Sequence, residues 1–299
     1  MGKIAYVMDQ VIVCGGVLIA FEHCQRLRQR GYDAFIVANG GRLSEYDVPV
    51  YPFQKLEEFT KDDIIVSVWY PQVPMLERFK GRKIQFSQDC IEDIPGLGQA
   101  AEDCRVARRT PGWEIMAVSD YAGRWTGCDY TLIPNGINER FFEKKGLERD
   151  LDVLIEGNKD GNKGIEDAFE IANEITKKSI GWLAREATKG EWEAFTNHPR
   201  ETIPEVYQRA KRVIKCSTSE GFGLPHLETM ASGCLLFTYN SGGNDFCIDG
   251  FNCWMGDKEY LKKRIKEPIN KEIIKNAYDT AEKYRWDKSI DKLEKFLNK

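Results

Sequence analysis

The chain has 299 residues, of which 42% are hydrophobic and 30% charged, and its net charge at pH 7 is −4. This length predicts two globular domains, and the acidic balance argues against a nucleic-acid partner, which a basic protein would favour. An apolar run long enough to span a membrane is missing, and early charges at Lys3, Asp9 and Glu22 argue against a signal peptide, so we expect a cytoplasmic protein.

Short apolar runs alternate with amphipathic runs in the first half of the chain. The predicted strands are residues 4–8, 34–38, 64–69, 84–87 and 115–118. Helices are predicted at residues 17–30 and 73–80, and a glycine loop, Gly15-Gly16, precedes the first of them. Apolar strands separated by helices indicate a parallel sheet with crossover helices.

A charged stretch, residues 139–150, precedes a second series of the same kind. The predicted strands are residues 152–155, 180–183, 212–216 and 234–237. The predicted helices are Ile165 to Lys178, residues 205–211, residues 224–232 and two helices within residues 271–299. We therefore place a first domain at residues 1–147 and a second at residues 148–280.

Cysteine and histidine are poorly placed for a structural metal site. The chain has nine cysteines without Cys-x-x-Cys spacing, and three histidines. With an odd number of cysteines and no signal peptide, we expect reduced thiols, several of them serving as small buried apolar residues.

The segment from Glu220 to Glu228 is the most informative part of the chain. It reads Glu-Gly-Phe-Gly-Leu-Pro-His-Leu-Glu and joins a predicted strand to a predicted helix. Ligands of open α/β sheets bind at this edge, where glycines let the backbone approach a ligand and free N–H groups at a helix start attract an anion. Two acids near a helix N-terminus alone could equally be explained by the helix dipole.

This segment, continued by Met-Ala-Ser-Gly at residues 230–233, resembles the Glu-x7-Glu signature of retaining glycosyltransferases of the GT-B fold, especially family four. The resemblance implies an α/β protein with two Rossmann-like domains facing across a cleft. It also implies that the last helix, residues 281–299, crosses back onto the first domain. The second domain would hold most of a nucleotide-sugar donor.

Carried over residue by residue, the resemblance places Glu220 near the donor sugar and gives Glu228 the ribose hydroxyls, which suit the lone pairs of a carboxylate. The backbone amides expected to face the sugar or the diphosphate are those of Phe222, Gly223 and Leu224. His226 stands where an apolar residue is usual, and we expect a packed or solvent-facing side chain in preference to an acid/base role.

The run 156–164 resembles the Gly-Arg…Lys-Gly pattern that holds the donor diphosphate. Lys163 matches the lysine and would neutralise the leaving diphosphate. Asn158 stands where the arginine is expected, and an amide can donate a hydrogen bond but carries no charge. Either Lys159 or Arg185 compensates, or the phosphate is held more weakly.

In the first domain, Gly15 and Gly16 match a glycine loop that approaches the diphosphate, although a simple tight turn also explains them. Asp89, in the pair Gln88-Asp89, matches an aspartate that contacts the sugar. The first strand is not followed by Gly-x-Gly-x-x-Gly, which argues against a dinucleotide-dependent dehydrogenase.

The leading hypothesis is a retaining glycosyltransferase that moves a sugar from a nucleoside diphosphate to an acceptor hydroxyl, with Glu220, Lys163 and Asp89 as catalytic residues. No Asp-x-Asp motif stands in a plausible loop, so we expect neither a metal nor another cofactor at the chemical step. Asn158 motivates an alternative, a GT-B-like protein that binds a nucleotide or a sugar without catalysis. An epimerase or phosphorylase fits less well, because a pyridoxal-lysine signature is missing.

The predicted partners are the nucleotide sugar and an acceptor that is a glycan, a lipid-linked molecule or a protein. Family habit points to glycan or polysaccharide synthesis, and a lipid-linked acceptor would bring the protein into peripheral membrane contact. The arginines at 105, 108, 109 and 124 are interpreted as a solvated helix face, because acidic neighbours dilute their charge.

Overall fold

Parallel strands connected by helices make up both halves of the chain in the computed structural model, which describes residues 2–91, 96–159, 161–176, 179–188, 190 and 192–299. Asp160, Lys177 and Lys178, which fall within segments interpreted above, lie outside the described residues. The chain divides into two compact units: residues up to Asn135 together with Ser289–Lys299, and Gly136–Lys288. The divisions predicted from the sequence follow residues 147 and 280.

The first unit contains a seven-stranded parallel sheet with the strand order β3-β2-β1-β4-β5-β6-β7. Its elements are β1 (Ile4–Val7), α1 (Gly15–Gln29), β2 (Ala34–Val37), β3 (Val50–Tyr51), β4 (Ile64–Ser67), α2 (Val73–Leu76), β5 (Arg82–Ser87), α3 (Gly98–Arg108), β6 (Trp113–Ala117), α4 (Asp120–Trp125) and β7 (Thr131–Leu132). Ser289–Lys299 joins this unit through polar contacts, since Arg30 pairs with Asp291 at 2.7 Å and Arg82 donates to the Leu297 carbonyl at 2.9 Å.

The second unit contains a six-stranded parallel sheet with the order β10-β9-β8-β11-β12-β13. Its elements are β8 (Leu151–Glu156), α5 (Ile165–Ala172), β9 (Ile180–Ala184), β10 (Glu193–Thr196), α6 (Ile203–Arg209), β11 (Ala210–Lys215), α7 (Leu224–Ala231), β12 (Leu235–Thr238), β13 (Trp254–Met255), α8 (Lys258–Arg264) and α9 (Lys271–Ala281). A last helix, α10, spans Trp286–Leu297.

Apolar side chains account for the central strands of both sheets. All four residues of β1, of β2 and of β12 are buried, as expected for parallel strands covered on both faces. In the second unit, Val153, Ile155, Trp182, Ile214 and Phe237 belong to one buried apolar cluster. Glu156 and Lys215 are the last residues of β8 and β11, and they follow the apolar centres of these strands.

Each sheet has one point at which the order of strands reverses. In the second unit the chain adds β9 and β10 on one side of β8 and then returns to place β11 on the other side. The loops after β8 and β11 consequently lead away in opposite directions and leave a crevice at the carboxyl edge of the sheet, the usual ligand site of such folds.

Several element boundaries differ from the sequence prediction. Gly15 and Gly16 form the first turn of α1 and not a loop before it. The helix predicted at residues 73–80 ends at Leu76, where the chain tightens into a turn closed by Phe79 N–H and the Leu76 carbonyl at 3.2 Å. The helices and strands without a sequence prediction are β3, α3, α4, β7, β10, β13 and α8, most of them short or strongly polar. Among the described residues, no helix combines the length and the apolar character needed to cross a membrane.

Candidate active site

The register between β8 and β11 places two opposite charges side by side. Ile155 pairs with Ile214, so the next residues along the two strands, Glu156 and Lys215, end neighbouring strands at the same edge. The loop after β8 carries Lys163 into α5, and the loop after β11 carries Glu220 toward α7. Four charged residues thus converge on the crevice at the strand-order reversal of the second unit.

These four side chains alternate in charge and are in direct contact. Lys163 Nζ donates to Glu220 Oε1 at 2.9 Å. Lys215 Nζ lies 3.3 Å from the same Glu220 oxygen and 2.6 Å from Glu156 Oε2. The sequence-predicted pair Lys163 and Glu220 is therefore brought together, and Lys215 and Glu156, which sequence reasoning missed, extend it into a chain of four. A lysine closing an apolar strand was the signal that could have revealed them.

The lysines keep the Glu220 carboxylate ionised. Burial alone would raise the pKa of Glu220, but the positive charges of Lys215 and Lys163 outweigh burial and lower this pKa to about 2. Burial would likewise lower the pKa of Lys215, and the carboxylates of Glu156 and Glu220 outweigh it, so that this pKa lies well above its usual range. At neutral pH both side chains carry full charge.

Glu228 has the opposite environment. Burial, reinforced by the negative charge of Glu156, raises the pKa of Glu228 to about 7, despite a hydrogen bond with Tyr207. The Tyr207 side chain is buried and sits at the end of α6. The two carboxyl groups of the Glu-x7-Glu pattern therefore differ in protonation at neutral pH, since one is fully ionised and the other is about half protonated.

The loop after β12 holds the backbone of Glu220 in place. Glu220 N–H donates to the Ser241 carbonyl and Gly243 N–H donates to the Glu220 carbonyl, both at 3.0 Å. A Cβ atom on Gly243 would lie 2.2 Å from that Glu220 carbonyl oxygen, so only glycine fits. The buried Asn244 braces the loop by accepting from Ser241 N–H at 3.0 Å and donating to the Tyr239 carbonyl at 2.9 Å. Asn244, to which the sequence assigned no function, thus has a structural one.

The start of α7 presents open backbone donors. Gly223 precedes the helix with φ +76°, a left-handed conformation that favours glycine. In the described part of the chain, no hydrogen-bond acceptor contacts the N–H groups of Phe222, Gly223 or Leu224. The Phe222 ring packs against Phe246 and Tyr284, and its backbone N–H stays available to a ligand. These donors and the helix dipole favour an anion here.

His226 is buried within the same helix and has polar neighbours. Its Nδ1 lies 3.1 Å from the Gly223 carbonyl and its Nε2 lies 2.8 Å from Thr238 Oγ1. Burial lowers the pKa of His226 to about 4, so the ring is neutral at pH 7. The side chain is packed, in keeping with the preferred interpretation from the sequence.

Asn158 stabilises the loop after β8 through a hydrogen bond to the neighbouring backbone. Asn158 Oδ1 accepts a hydrogen bond from Arg185 N–H at 3.0 Å. Of the two residues considered as substitutes for the family arginine, Lys159 places its Nζ 5.4 Å from the centre of the Trp182 ring, and Arg185 is exposed. The additional positive charge nearest to Glu220 comes instead from Lys215, on a different strand.

The remaining predicted residues belong to the first unit. Gly16 lies against Gln88, whose Nε2 donates to the Gly16 carbonyl at 3.2 Å, whereas a Cβ on Gly15 would meet no atom within 4 Å. Asp89 follows β5, and its Oδ1 lies 3.6 Å from Arg108 Nη2. Arg108 is 4% exposed, so its interpretation as part of a solvated helix face is wrong: its side chain is buried, with the guanidinium near Asp89.

Two other features were considered as sites. A cavity of about 480 Å³ in the second unit is lined by Phe142, Arg149, Gln208, Lys271 and Tyr278 among others. It reaches residues 231–233 behind the motif helix but none of the residues from Glu220 to Glu228. Across the residues that the structure describes, no group of three or more His, Cys, Asp or Glu side chains is arranged to hold a metal ion. The charge network at the β8–β11 crevice is accordingly the better-supported candidate.

Comparisons with known proteins agree with this location. Residues 138–285, nearly the whole second unit, match the family described as glycosyl transferases group 1. A curated relative from Streptococcus parasanguinis, the GtfA subunit of UDP-N-acetylglucosamine–peptide N-acetylglucosaminyltransferase, is 24% identical over 169 residues. That match covers 50% of this chain and 33% of the relative, so the chain spans only about a third of the length of that protein.

Solved structures match over the full length. Anabaena HepE, solved in complex with UDP and glucose, has a TM-score of 0.81 at 14% identity and covers 100% of both chains. Sucrose-phosphate synthase from Thermosynechococcus elongatus has a TM-score of 0.78 at 14% identity, covering 100% of this chain and 98% of its own. The predicted fold class is confirmed: the chain has the GT-B fold with two Rossmann-like parallel sheets, and its residues 138–285 match the family of glycosyl transferases group 1.

Proposed function

We propose that the protein is a retaining glycosyltransferase that moves a sugar from a nucleoside diphosphate to an acceptor hydroxyl. The observation that carries the proposal is the contact between Lys163 and Glu220 at the β8–β11 crevice, beside the open amides of α7. A cation and free N–H donors suit a diphosphate, and a charged carboxylate beside them suits the hydroxyls of a sugar.

Lys163 and the amides of Phe222, Gly223 and Leu224 bind the diphosphate in this proposal. As the bond between the anomeric carbon and the diphosphate oxygen breaks, negative charge builds up on the leaving group. Lys163 and the fixed N–H dipoles stabilise that charge, which is the principal way in which such sites lower a barrier. They provide this charge from the protein itself, so we propose that the chemical step requires no divalent ion and no other cofactor.

Glu228 accepts hydrogen bonds from the ribose hydroxyls, and Glu220 orients the transferred sugar. The acceptor oxygen attacks the anomeric carbon on the face from which the diphosphate departs, and its proton passes to a diphosphate oxygen. One C–O bond breaks and one forms, so the products are the glycoside and the nucleoside diphosphate with retained anomeric configuration. From the first unit, Gly15 and Gly16 stay proposed donor contacts and Asp89 stays a proposed catalytic residue that contacts the sugar, all on the strength of the resemblance.

The second candidate is a protein that binds a nucleotide or a sugar without transfer. Asn158 favours it, because its Oδ1 is occupied by Arg185 N–H and the residue supplies no charge to a diphosphate. The charge of Lys215 beside Glu220 favours catalysis. A product assay separates the two.

The acceptor is proposed to be a glycan, a lipid-linked molecule or a protein, in cytoplasmic glycan or polysaccharide synthesis. A lipid-linked acceptor would require peripheral membrane contact.

The experiment is a product assay run in parallel with EDTA and with an added divalent ion. The protein is incubated with UDP-, GDP-, ADP- and dTDP-sugars and a panel of acceptors, and the released nucleoside diphosphate and the anomeric configuration of the glycoside are measured by NMR. Transfer with retention supports the proposal. Calorimetric binding without release of nucleoside diphosphate in any combination would favour the binding protein, and inversion or dependence on a divalent ion would contradict the mechanism.

A further inference from the structure

Lys215 has no place in the donor contacts proposed above, although it lies at the centre of the charge network. It is the last residue of β11 and only 3% exposed. Its Nζ contacts Glu156 at 2.6 Å and Glu220 at 3.3 Å. Enclosing an ammonium group in a sheet is unfavourable unless partners compensate it, so this lysine is tied to its two carboxylates.

The two lysines beside Glu220 differ in access to solvent. The Lys163 side chain is 21% exposed and extends from the loop before α5, whereas the Lys215 side chain is 4% exposed and extends from a central strand. Lys163 can therefore turn toward a ligand, and Lys215 cannot leave its carboxylates. The backbone of Gly157 lies close above the ammonium group, since a Cβ at this glycine would be 3.7 Å from Lys215 Nζ.

The proposed function creates a specific requirement for Glu220. When Lys163 donates hydrogen bonds to a diphosphate, the ammonium group interacts with both Glu220 and the more highly charged diphosphate, so its interaction with Glu220 weakens. A partly buried carboxylate that loses its cation tends to take up a proton. A protonated Glu220 would present a different pattern of donors and acceptors to the sugar.

We propose that Lys215 is a positioning residue that holds the Glu220 carboxylate in place and ionised while Lys163 binds the diphosphate. The inference rests on the proposed function for Lys163. Four charged or titratable groups define the setting of Glu220: Lys163 from the loop before α5, Lys215 from β11, His226 from α7, and Glu156 from β8, which acts through Lys215. His226 is neutral, with its pKa lowered to about 4 by burial, which leaves the two lysines as the cations.

A simpler role for Lys215 would be to neutralise Glu156 alone, because the Glu156 contact is the shorter of the two. The two roles differ in what happens to Glu220 when Lys215 is removed. If Lys215 positions Glu220, the pKa of Glu220 rises; if Lys215 serves only Glu156, that pKa stays where Lys163 holds it.

The test is an NMR titration of the glutamate side-chain carboxyl carbons in the full chain without ligand, with Glu220 assigned by Glu220→Gln. The pKa of Glu220 is about 2 in the unchanged protein. We expect Lys215→Met to raise it by about one to three pH units, the effect of one opposite charge within hydrogen-bond range. Lys215→Arg should leave it low.

The matched control is Lys211→Met on the same strand. Lys211 pairs with Asp152 at 2.7 Å and its side chain is 42% exposed, so its loss should leave the titration of Glu220 unchanged. Because Lys215→Met leaves Glu156 without its cation, the double variant Lys215→Met with Glu156→Gln serves if the single variant fails to fold. An unchanged Glu220 titration in the folded single or double variant overturns the proposal.

The titration is carried out without a nucleotide sugar, so its result does not depend on whether the protein transfers a sugar. If the protein transfers no sugar but Glu220 responds to Lys215, the electrostatic role holds and the enzyme proposal fails. If transfer occurs, the acid limb of the kcat profile should move to higher pH in Lys215→Met by the same one to three pH units, but not in Lys211→Met. An unmoved limb would contradict a role for Lys215 during the reaction.

Discussion

Lys163 Nζ donates to Glu220 Oε1 at 2.9 Å, although the two residues lie 57 positions apart in the chain. One stands in the loop that follows β8 and the other in the loop that follows β11, and these strands are neighbours at the point where strand order reverses. The contact joins the two segments that the sequence singles out, the Lys-Gly run and the Glu-x7-Glu pattern. It also means that a diphosphate bound by Lys163 would lie beside Glu220.

Lys163→Ala should abolish most turnover while leaving the protein folded. Removal of one well-placed donor to a developing negative charge typically lowers the rate by about 100-fold or more. Steady-state kinetics with the donor identified in the product assay measures the effect, and circular dichroism checks the fold. The matched control is Lys211→Ala, a lysine of the same unit that pairs with Asp152 away from the crevice. Full activity in Lys163→Ala would refute the assignment.

Donor affinity should rise with pH through the titration of Glu228. Its pKa is about 7, and only the ionised carboxylate can accept hydrogen bonds from both ribose hydroxyls. We expect the dissociation constant of the nucleotide sugar, whose diphosphate does not titrate in this range, to fall between pH 6 and pH 8 when measured by calorimetry. In Glu228→Gln this pH dependence should disappear, and a dependence as steep as in the unchanged protein would argue against the ribose contact.

The same side chain should affect stability in a defined pH window. The pKa of Glu228 in the folded protein, about 7, exceeds its ordinary value of 4.5, so the folded state holds this proton more tightly than the unfolded chain. This contribution to the free energy of unfolding is present below pH 4.5 and is lost as pH rises through 7. Urea denaturation of the unchanged protein and of Glu228→Gln at several pH values across this window measures the contribution of Glu228. We expect the free energy of unfolding of Glu228→Gln to increase relative to that of the unchanged protein as pH rises. A difference between the two free energies that does not change with pH would contradict a raised pKa for the Glu228 carboxyl.

Gly223→Ala should destabilise the second unit. Gly223 has φ +76°, and a Cβ there would lie 2.7 Å from His226 Nδ1. The left-handed conformation and the displaced ring together should lower the free energy of unfolding by about 1–3 kcal/mol. Gly161→Ala is the matched control for urea denaturation, since a Cβ at Gly161 would meet no atom within 4 Å. Equal stabilities of the two variants would be evidence against this conformation.

Asn158→Asp should weaken donor binding without loosening the loop. An aspartate keeps an acceptor for Arg185 N–H, which Asn158 Oδ1 now satisfies at 3.0 Å, but adds a negative charge near the proposed diphosphate. Repulsion of roughly 1–4 kcal/mol at 4 Å corresponds to a loss of affinity of about fivefold to several hundredfold. Calorimetry measures the loss of affinity. Thermal denaturation of Asn158→Asp, which keeps the hydrogen-bond acceptor, and of Asn158→Ala, which removes it, distinguishes the effect of the added charge from that of the lost hydrogen bond. Unchanged affinity in the aspartate variant would place the diphosphate elsewhere.

Much of the fold could be predicted because apolar runs and glycines dominate the local signals. The central strands, from Ile4–Val7 to Leu235–Thr238, coincide with predicted runs to within a few residues. The two-residue strands Val50–Tyr51 and Trp254–Met255 carry no such signal, since they form only by pairing with a longer neighbour. The burial of Arg108 at the end of α3 was missed for a similar reason, because its charged neighbour Asp89 comes from a separate part of the sequence.

The candidate site was predictable only in part. Glu220 and Glu228 are marked by the pattern around them, and Lys163 by its resemblance to a phosphate-binding run. Glu156 and Lys215 become neighbours through strand order, which local sequence does not encode, and their register follows from the pairing of Ile155 with Ile214. The pKa of Glu220 is lowered by Lys215 and Lys163, and the pKa of Glu228 is raised mainly by burial, with Glu156 adding to it, so neither shift can be deduced from the nine-residue motif itself.

The most direct test of the central claim is a thermal-shift screen with UDP-, GDP-, ADP- and dTDP-sugars on the protein, on Lys163→Ala and on Glu228→Gln. A nucleotide sugar at about 100 times its dissociation constant adds about 2.7 kcal/mol to the free energy of unfolding and should raise the melting temperature by several degrees. The account predicts such a rise for one nucleotide class in the unchanged protein and a much smaller rise in both variants. No rise with any nucleotide sugar, or an equal rise in all three proteins, would contradict a donor site at the β8–β11 crevice.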